Sequence, residues 1–276
     1  MLTSSIGTGD LIAYALKSGV KKIVVGCGGS ATSDGGIGMA TALGISFLDS
    51  DGRKISPIGA NLSKIETINF DKALAEIAST TFIILADVTN PLTGPNGAAN
   101  IFGPQKGASD SDIVLLDEGL NHFSQILNKY SPTGIADFLG AGAAGGFPVS
   151  ARAFLNADLK SGIEFIMDFS GVEEKIRRAD LIITGEGKFD QQSLKGKVVS
   201  GMAGLCQKHR KILWVVCGIS EVDDETAKGI GIENVLSISS STSNVEESMK
   251  QAEKLLKRKI ELAMKFETKP FQSFSI

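Results

Sequence analysis

The sequence predicts an α/β protein with mainly parallel, doubly wound sheets. Short apolar runs alternate with helical patterns, and Gly-rich loops open directly after the apolar runs. Glycine is abundant (32 residues) while aromatics are few (6%), which suits a looped enzyme core rather than a fibrous or disordered chain. The 276 residues fit one large or two medium domains, because single cores seldom grow beyond ~250 residues.

Along the chain, Asp10 to Lys17 has helical spacing through Leu11, Ile12, Ala15 and Leu16 and ends near Gly19. Lys22 to Val25 is a short strand opening into Gly26-Cys-Gly-Gly-Ser-Ala-Thr-Ser-Asp-Gly-Gly36. A helix with Met39, Ala40 and Leu43 inward follows, ended by Gly44. Ile45 to Leu48 and the segment after Asp51-Gly52 read as a hairpin. Thr81 to Ala86 is a buried strand ending at Asp87, and Leu116, Leu120, Phe123 and Leu127 form an amphipathic stripe. The Gly-rich stretch Gly134 to Pro148 reads as a crossing between domains, with a helix after it through Arg152 to Leu155.

The last third reads as half of a nucleotide-type fold. Ala179 to Ile183 is a strand, Thr184-Gly-Glu-Gly187 a sharp loop and Gly196 to Cys206 a helix. Strands at Ile212 to Val216 and Asn234 to Ile238 follow. Ser243 with Glu246 makes a capping box for a final helix carrying Val245, Met249, Ala252 and Leu256.

Composition removes several function classes. The formal charge of −3 carries no basic stripe, so a nucleic-acid partner is not expected. No apolar run reaches the ~20 residues of a membrane helix, and the start lacks a signal-peptide pattern. Cys27, Cys206 and Cys217 are too few and scattered for a disulfide framework or zinc site, which fits a cytoplasmic protein. Any anionic substrate must be attracted locally.

Three loops lie where open α/β sheets bind ligands, beyond the carboxyl ends of strands. In the first, Gly28 and Gly29 let backbone amides approach an anion, beside the hydroxyls of Ser30 and Thr32. Asp34 suits either Mg²⁺ or a substrate hydroxyl, or else caps the next helix. In the second, Asp87 can hold Mg²⁺ or accept a hydroxyl proton, as phosphoryl transfer requires, or can form a turn with neighbouring amides. Lys106, framed by Gly103 and Gly107, can neutralise a phosphate or a carboxylate. In the third, Glu186, Asp190 and Lys197 suit a Mg²⁺–nucleotide site, whereas Lys188 and Lys195 read as merely exposed.

Generic motifs do not decide the class. Gly26-x-Gly28-x-x-Ala31 and Gly140-x-Gly142-x-x-Gly145 both meet a dinucleotide fingerprint, which in so Gly-rich a chain is a cheap match. No classical P-loop sequence is present, and only His122 and His209 are available for a triad.

The long motifs together resemble the Gly-rich, bacterial-type glycerate kinase family. They are Thr3-Ser4-Ser5-x-Gly7-Thr8-Gly9-Asp10, Gly26-x-Gly-Gly-Ser-Ala-Thr-x-Asp-Gly-Gly36, Asp87-Val-x-Asn90-Pro-Leu-x-Gly94, Phe102-Gly-Pro-Gln-Lys-Gly-Ala108 and Gly140-Ala-Gly-Ala-Ala-Gly-Gly146. Phe154-Leu-Asn-Ala, Ser161-Gly-Ile-Glu164, Ala179-Asp-Leu-Ile-Ile-Thr-Gly-Glu-Gly187, Asp190-x-Gln-Ser and Gly196-Lys197 complete the series. The resemblance implies phosphorylation of D-glycerate by ATP with Mg²⁺, 2-phosphoglycerate being favoured over 3-phosphoglycerate. It implies two three-layer α/β domains, one inserted into the other: residues 1–148 the inserted domain, 149–276 the C-terminal part of a Rossmann-like domain.

The implied contacts are Asp87, Asp190 and Lys106 at the chemistry, with Asp87 and Asp190 also the Mg²⁺ carboxylates. Gly28, Gly29, Ser30, Thr32, Asp34, Asn90, Thr184, Gly185, Glu186, Gly187 and Lys197 would contact substrate or nucleotide. Oligomeric state is open, with a homodimer the candidate. Two departures stand out. Val199 replaces the family's usual proline, and the family's N-terminal Asp-Ser-Phe-Lys and Asp-Gly-Gly-Glu-Gly motifs do not occur. The Rossmann-like domain is therefore expected to be incomplete here, and a catalytically impaired nucleotide- or hydroxyacid-binding fragment is the alternative reading.

Overall fold

The computed structural model describes residues 1–130, 135–194, 198–239 and 245–266. Two compact units divide the chain, Met1–Gly162 and Ile163–Ile276.

The first unit is built on a parallel sheet of β1 (Lys22–Gly26), β4 (Thr81–Leu85) and β5 (Asp158–Lys160), with β4 in the centre. Phe82, Ile83 and Ile84 of β4 are all buried, as a continuous apolar run in a central parallel strand requires. One core gathers Ile12 and Leu16 of α1 (Ile6–Lys17), Met39 of α2 (Ile37–Ala42) and Phe82, Ile84 and Leu155. A second core forms where the stripe of α4 (Asp110–Asn128) buries Leu116, Leu120, Phe123 and Leu127. There Phe123 meets Phe47 edge-on at 6.0 Å between ring centres. A capping box of Ser109 and Asp112 starts α4. Between these elements lie β2 (Ser46–Leu48), β3 (Thr67–Asn69) and α3 (Ala98–Phe102).

Local readings fail here where a tertiary contact overrides propensity. Helix α1 begins at Ile6, before the expected Asp10. Its Gly9 lies against α2, where an added Cβ would sit 2.5 Å from the Met39 carbonyl oxygen. The expected hairpin forms but is short, with Asp49 N–H donating to the Arg53 carbonyl at 2.9 Å and Ile55 N–H to the Phe47 carbonyl at 3.0 Å around a single bridge from Leu48 to Lys54. The longer ladder of β2 is antiparallel with β3, and Pro57 cannot extend the hairpin arm further. The supposed crossing does not leave the first unit: Gly35 N–H donates to the Gly145 carbonyl at 2.9 Å. The boundary falls at Gly162, so α5 (Phe147–Leu155) and β5 pack with the first unit.

The second unit holds a parallel sheet in the order β6 (Leu181–Phe189), β7 (Ile212–Ser220), β8 (Asn234–Ser237). Thr184-Gly-Glu-Gly187 is not a sharp loop. It continues β6, with Gly185 opposite Val216 and Glu186 opposite Cys217. The glycines permit this close pairing, because a Cβ on Gly185 would lie 2.7 Å from the Val216 carbonyl oxygen. Ile176 of α7 (Val172–Arg178) and Val199, Ala203 and Cys206 of α8 (Val198–Lys208) pack with Ile182, Leu213 and Val215. The final helix is split into α10 (Val245–Lys250) and α11 (Ala252–Phe266), and its Met249 is exposed. The proposed cap Ser243 lies outside the described residues. Two further helices, α6 (Gly162–Ser170) and α9 (Asp224–Gly229), complete the set among the described residues.

Asp34 knots the first unit together. It is fully buried (0% exposed). Its Oδ2 accepts from Ser5 N–H at 2.7 Å, Ser5 Oγ at 2.8 Å and Gly38 N–H at 3.2 Å, and its Oδ1 accepts from Gly36 N–H at 3.1 Å. Ser5 Oγ in turn accepts from Met39 N–H at 2.9 Å. One carboxylate thus satisfies orphan donors at the starts of both α1 and α2. Asp34→Ala should lose on the order of 3–5 kcal/mol in urea unfolding, since buried donors are left unpaired. A loss under about 1 kcal/mol would show the knot to be dispensable.

In the second unit, Glu173 Oε1 joins α7 to α8 by accepting from Lys208 Nζ at 2.8 Å and pairing with His209 Nε2 at 2.6 Å. The Lys208 hydrogen bond, then that of His209, pulls its carboxyl from 4.5 to about 2. A depressed carboxyl stabilises the fold above its unfolded value and loses that contribution as pH falls through the folded one. The unit should therefore weaken between pH 4.5 and about 2, followed by emission of Trp214, the single tryptophan, buried in β7. Glu173→Gln should flatten that acid limb; an unchanged limb would assign it to other groups.

Candidate functional site

The first two loops meet at the carboxyl ends of β1 and β4. Gly29 has φ +67 and needs glycine for its conformation. Gly28 differs: its φ is not left-handed, and an added Cβ would meet nothing within 4 Å. The fold does not require glycine there, so its bare backbone is left open to space. The loop is anchored from outside. Thr3 Oγ1 donates to the Ala31 carbonyl at 3.0 Å, and Lys106 Nζ donates to Ser30 Oγ at 3.0 Å and to the Thr32 carbonyl at 2.7 Å. Lys106 reaches it from the turn Pro104–Lys106, which Gly107 closes at φ +83.

Asp87 follows β4, and its Oδ1 accepts from Gly162 N–H at 2.8 Å and Ser161 Oγ at 3.2 Å. A cavity of about 280 Å³ joins Gly28, Gly29 and Ser30 to Asp87 and Lys106, with Gln105, Cys27 and Ala144 also on its wall. Burial lowers the Lys106 pKa, opposed by the Asp34 charge. The same burial pushes the Cys27 thiol up to about 11, so this cysteine is not an activated nucleophile.

Five of the residues singled out from sequence thus share one wall. Others do not join it. Asp34 is consumed by the knot described above, which is the capping role. Asn90 holds its own turn, donating from Nδ2 to the Asn96 carbonyl at 2.9 Å and accepting Gly142 N–H at 3.0 Å. Thr32 contributes its carbonyl to Lys106.

Ala144, Cys27 and Gln105 were missed from sequence, although motifs containing each had been noted. Ala144 has φ 47 and ψ 37, and it opens a left-handed run through Gly145 and Gly146. A non-glycine residue held there costs roughly 1–3 kcal/mol and is typical of ligand sites.

The remaining candidates belong to the second unit. Thr184, Gly185, Glu186 and Gly187 lie in β6. Glu186 Oε1 is buried without a hydrogen-bond partner. Its register neighbours are Cys217 and, one strand further, Ser237. Asp190 Oδ1 accepts from Gln192 N–H at 2.8 Å, and its Oδ2 lies 3.7 Å from Lys188 Nζ. Lys188 is half-exposed and pairs with Glu221 at 2.9 Å. Lys195 and Lys197 lie outside the described residues. Both histidines serve structure, His122 on the Ile65 carbonyl at 2.7 Å and His209 on Glu173.

Comparison with known proteins adds an independent line. The model of the glycerate kinase family matches residues 1–267. Glycerate 2-kinase of Escherichia coli (strain K12) is 41% identical over 252 residues, covering 91% of this chain and 66% of that protein. Glycerate kinase of Bacillus subtilis (strain 168) is 36% identical over 258 residues, covering 94% and 68%. A crystal structure described as glycerate kinase 2 from Salmonella typhimurium LT2 superposes with a TM-score of 0.80 at 35% identity, covering 96% of this chain and 69% of that one. The chain spans about two thirds (66%) of the length of the Escherichia coli relative. With a family match over nearly all its length, the chain belongs to the glycerate kinase family.

Proposed function

We propose that the protein phosphorylates D-glycerate with ATP and Mg²⁺, giving 2-phosphoglycerate in preference to 3-phosphoglycerate. The observation that carries this reading is the cavity at the strand ends, where a carboxylate, a lysine, a hydroxyl and open glycine backbone converge. Family membership supports it, and the name of the Escherichia coli relative, glycerate 2-kinase, supports the 2-position.

A glycerate hydroxyl would attack the γ-phosphorus in line. The new P–O bond replaces the bond to ADP, and the hydroxyl proton passes to a carboxylate. Asp87 is the group for that proton, since its Oδ1 is fixed by Gly162 and Ser161. Lys106 offsets negative charge, while Gly28, Gly29 and Ser30 contact an anion. Thr184 to Gly187, Asp190 and Lys197 are the second unit's contacts to substrate or nucleotide. Such positioning and electrostatics supply most of the catalysis in phosphoryl transfer.

No cluster of three or more His, Cys, Asp or Glu side chains occurs among the described residues. That fits Mg²⁺ as it is usually held with nucleotides, by one or two carboxylates plus phosphate oxygens and water. Asp87 would be such a carboxylate in the first unit and Asp190 in the second, and an ion held by either would neutralise phosphate charge. Cytoplasmic location belongs to the same proposal, supported by three free cysteines. No described helix is long and apolar enough to cross a membrane.

A coupled assay of ADP release with D-glycerate tests the activity, and ³¹P NMR of the product identifies the phosphorylated carbon. Nucleotide binding without turnover would replace the kinase reading with that of a binding module. Asp87→Asn should lower kcat by roughly 10²–10⁴-fold. Near-full kcat in that variant would remove Asp87 from the chemistry.

A further inference from the structure

We infer that the first-unit cavity is the acceptor subsite: it takes a short hydroxycarboxylate by itself, without nucleotide, and Lys106 reads the carboxylate. This deepens the kinase reading above, on which it rests for the choice of D-glycerate as probe.

Size limits the occupant. The cavity of about 280 Å³ lies just below the ~300–1,000 Å³ that holds a drug-sized ligand. It accommodates a three- or four-carbon acid of about seven to nine non-hydrogen atoms with water, and would hold only part of a nucleoside triphosphate of roughly thirty.

Charge limits it further. Among the described residues, Lys106 is the one cation on the wall and Asp87 the one carboxylate. An ammonium has three N–H donors. Lys106 commits two of them to Ser30 Oγ and the Thr32 carbonyl. One donor is left, enough for one oxygen of a monoanion. Without a cation to shield Asp87, a polyphosphate would bring several charged oxygens to a wall with one spare lysine donor and a repelling carboxylate.

Asp87 adds the complementary demand. Its Oδ1 is engaged by Gly162 and Ser161, and among the described residues its Oδ2 accepts no hydrogen bond. A carboxylate oxygen facing a ligand needs an O–H or N–H donor. Phosphate oxygens of ATP offer none, whereas an alcohol does. One carboxylate and one hydroxyl within three or four carbons describe a hydroxy acid. Gly28 supplies the opening, because its missing Cβ serves no packing need within 4 Å.

The test uses the unaltered chain first. Lysines are acetylated with a water-soluble N-hydroxysuccinimide ester, and the rate at Lys106 is read by peptide mass spectrometry with D-glycerate, glycolate or Mg·ATP present. D-glycerate should slow acetylation of Lys106 at least about fivefold, with Mg·ATP leaving it unchanged. Calorimetry then compares variants. Lys106→Met should weaken D-glycerate binding about tenfold or more, the worth of one charge-assisted hydrogen bond, with ATP affinity within about twofold. Gly28→Ala should do the same at an unchanged melting temperature, which separates lost binding from lost folding. Protection of Lys106 by Mg·ATP but by no hydroxy acid overturns the inference, as does protection by neither. Protection by glycolate or D-glycerate without ADP release would sustain the subsite while defeating the kinase reading. ADP release with Lys106 shielded only by Mg·ATP would do the reverse.

Discussion

The glycine-rich loop of the first-unit cavity depends on one buried carboxylate. Asp34 has no contact with solvent, and burying a charge is costly unless hydrogen bonds replace its hydration. Three backbone amides and one hydroxyl supply them. The consequence is geometric. Ser5 at the start of α1 and Gly36 and Gly38 at the start of α2 are fixed to one point, so the loop leaving β1 has a defined end. Gly28, Gly29 and Ser30 lie within that span, and their placement follows from Asp34 although it touches no cavity atom of theirs.

Glycines around this knot fall into two kinds, and the difference separates packing from access. Gly38, Gly44 and Gly145 are required by neighbours: an added Cβ would lie 2.3 Å from Ser4 Oγ, 1.9 Å from the Lys72 carbonyl oxygen and 2.2 Å from the Thr32 carbonyl oxygen respectively. Gly28 is required by neither a neighbour nor a left-handed φ. A residue the fold could replace, found on a cavity wall, is best explained by what enters the cavity. Such a distinction is invisible in the string Gly26-Cys-Gly-Gly-Ser-Ala-Thr, where each glycine looks the same.

That contrast marks how far the sequence could be read. The α4 stripe and the buried run of β4 were legible because each follows from period and apolarity alone, without knowledge of a partner. Asp87 was legible as a candidate because a carboxylate directly follows a buried strand, and Lys106 because it is framed by Gly103 and Gly107. Thr184 to Gly187 was misread because glycine pairs usually signal turns, and only the facing Val216 and Gly218 show why they suit a strand. The true beginning of α1 depends on Asp34, 29 residues later in the chain. Ala144 was out of reach for another reason. Alanine normally avoids the left-handed region, so no local rule places it there, and its conformation appears only once Gly145 is seen packed on Thr32 and Ser33.

Lys106 joins the knot to the cavity, and its two tasks are physically linked. Half-burying an ammonium lowers its pKa, and the nearby Asp34 charge partly restores it. The acceptors that hold the ammonium in place, Ser30 Oγ and the Thr32 carbonyl, belong to the same loop that exposes Gly28 and Gly29. The lysine therefore cannot withdraw from the cavity without releasing the loop, and the loop cannot move without uncovering the lysine. A lysine on a free surface would swing among rotamers and lose ~1.5–2 kcal/mol of entropy on meeting an anion. Here that cost is already met in folding, so an anion entering the cavity meets a cation fixed in advance. The glycine-rich motif and the lysine turn, 76 residues apart, form one preorganised wall, and neither motif can be assigned a role without the other.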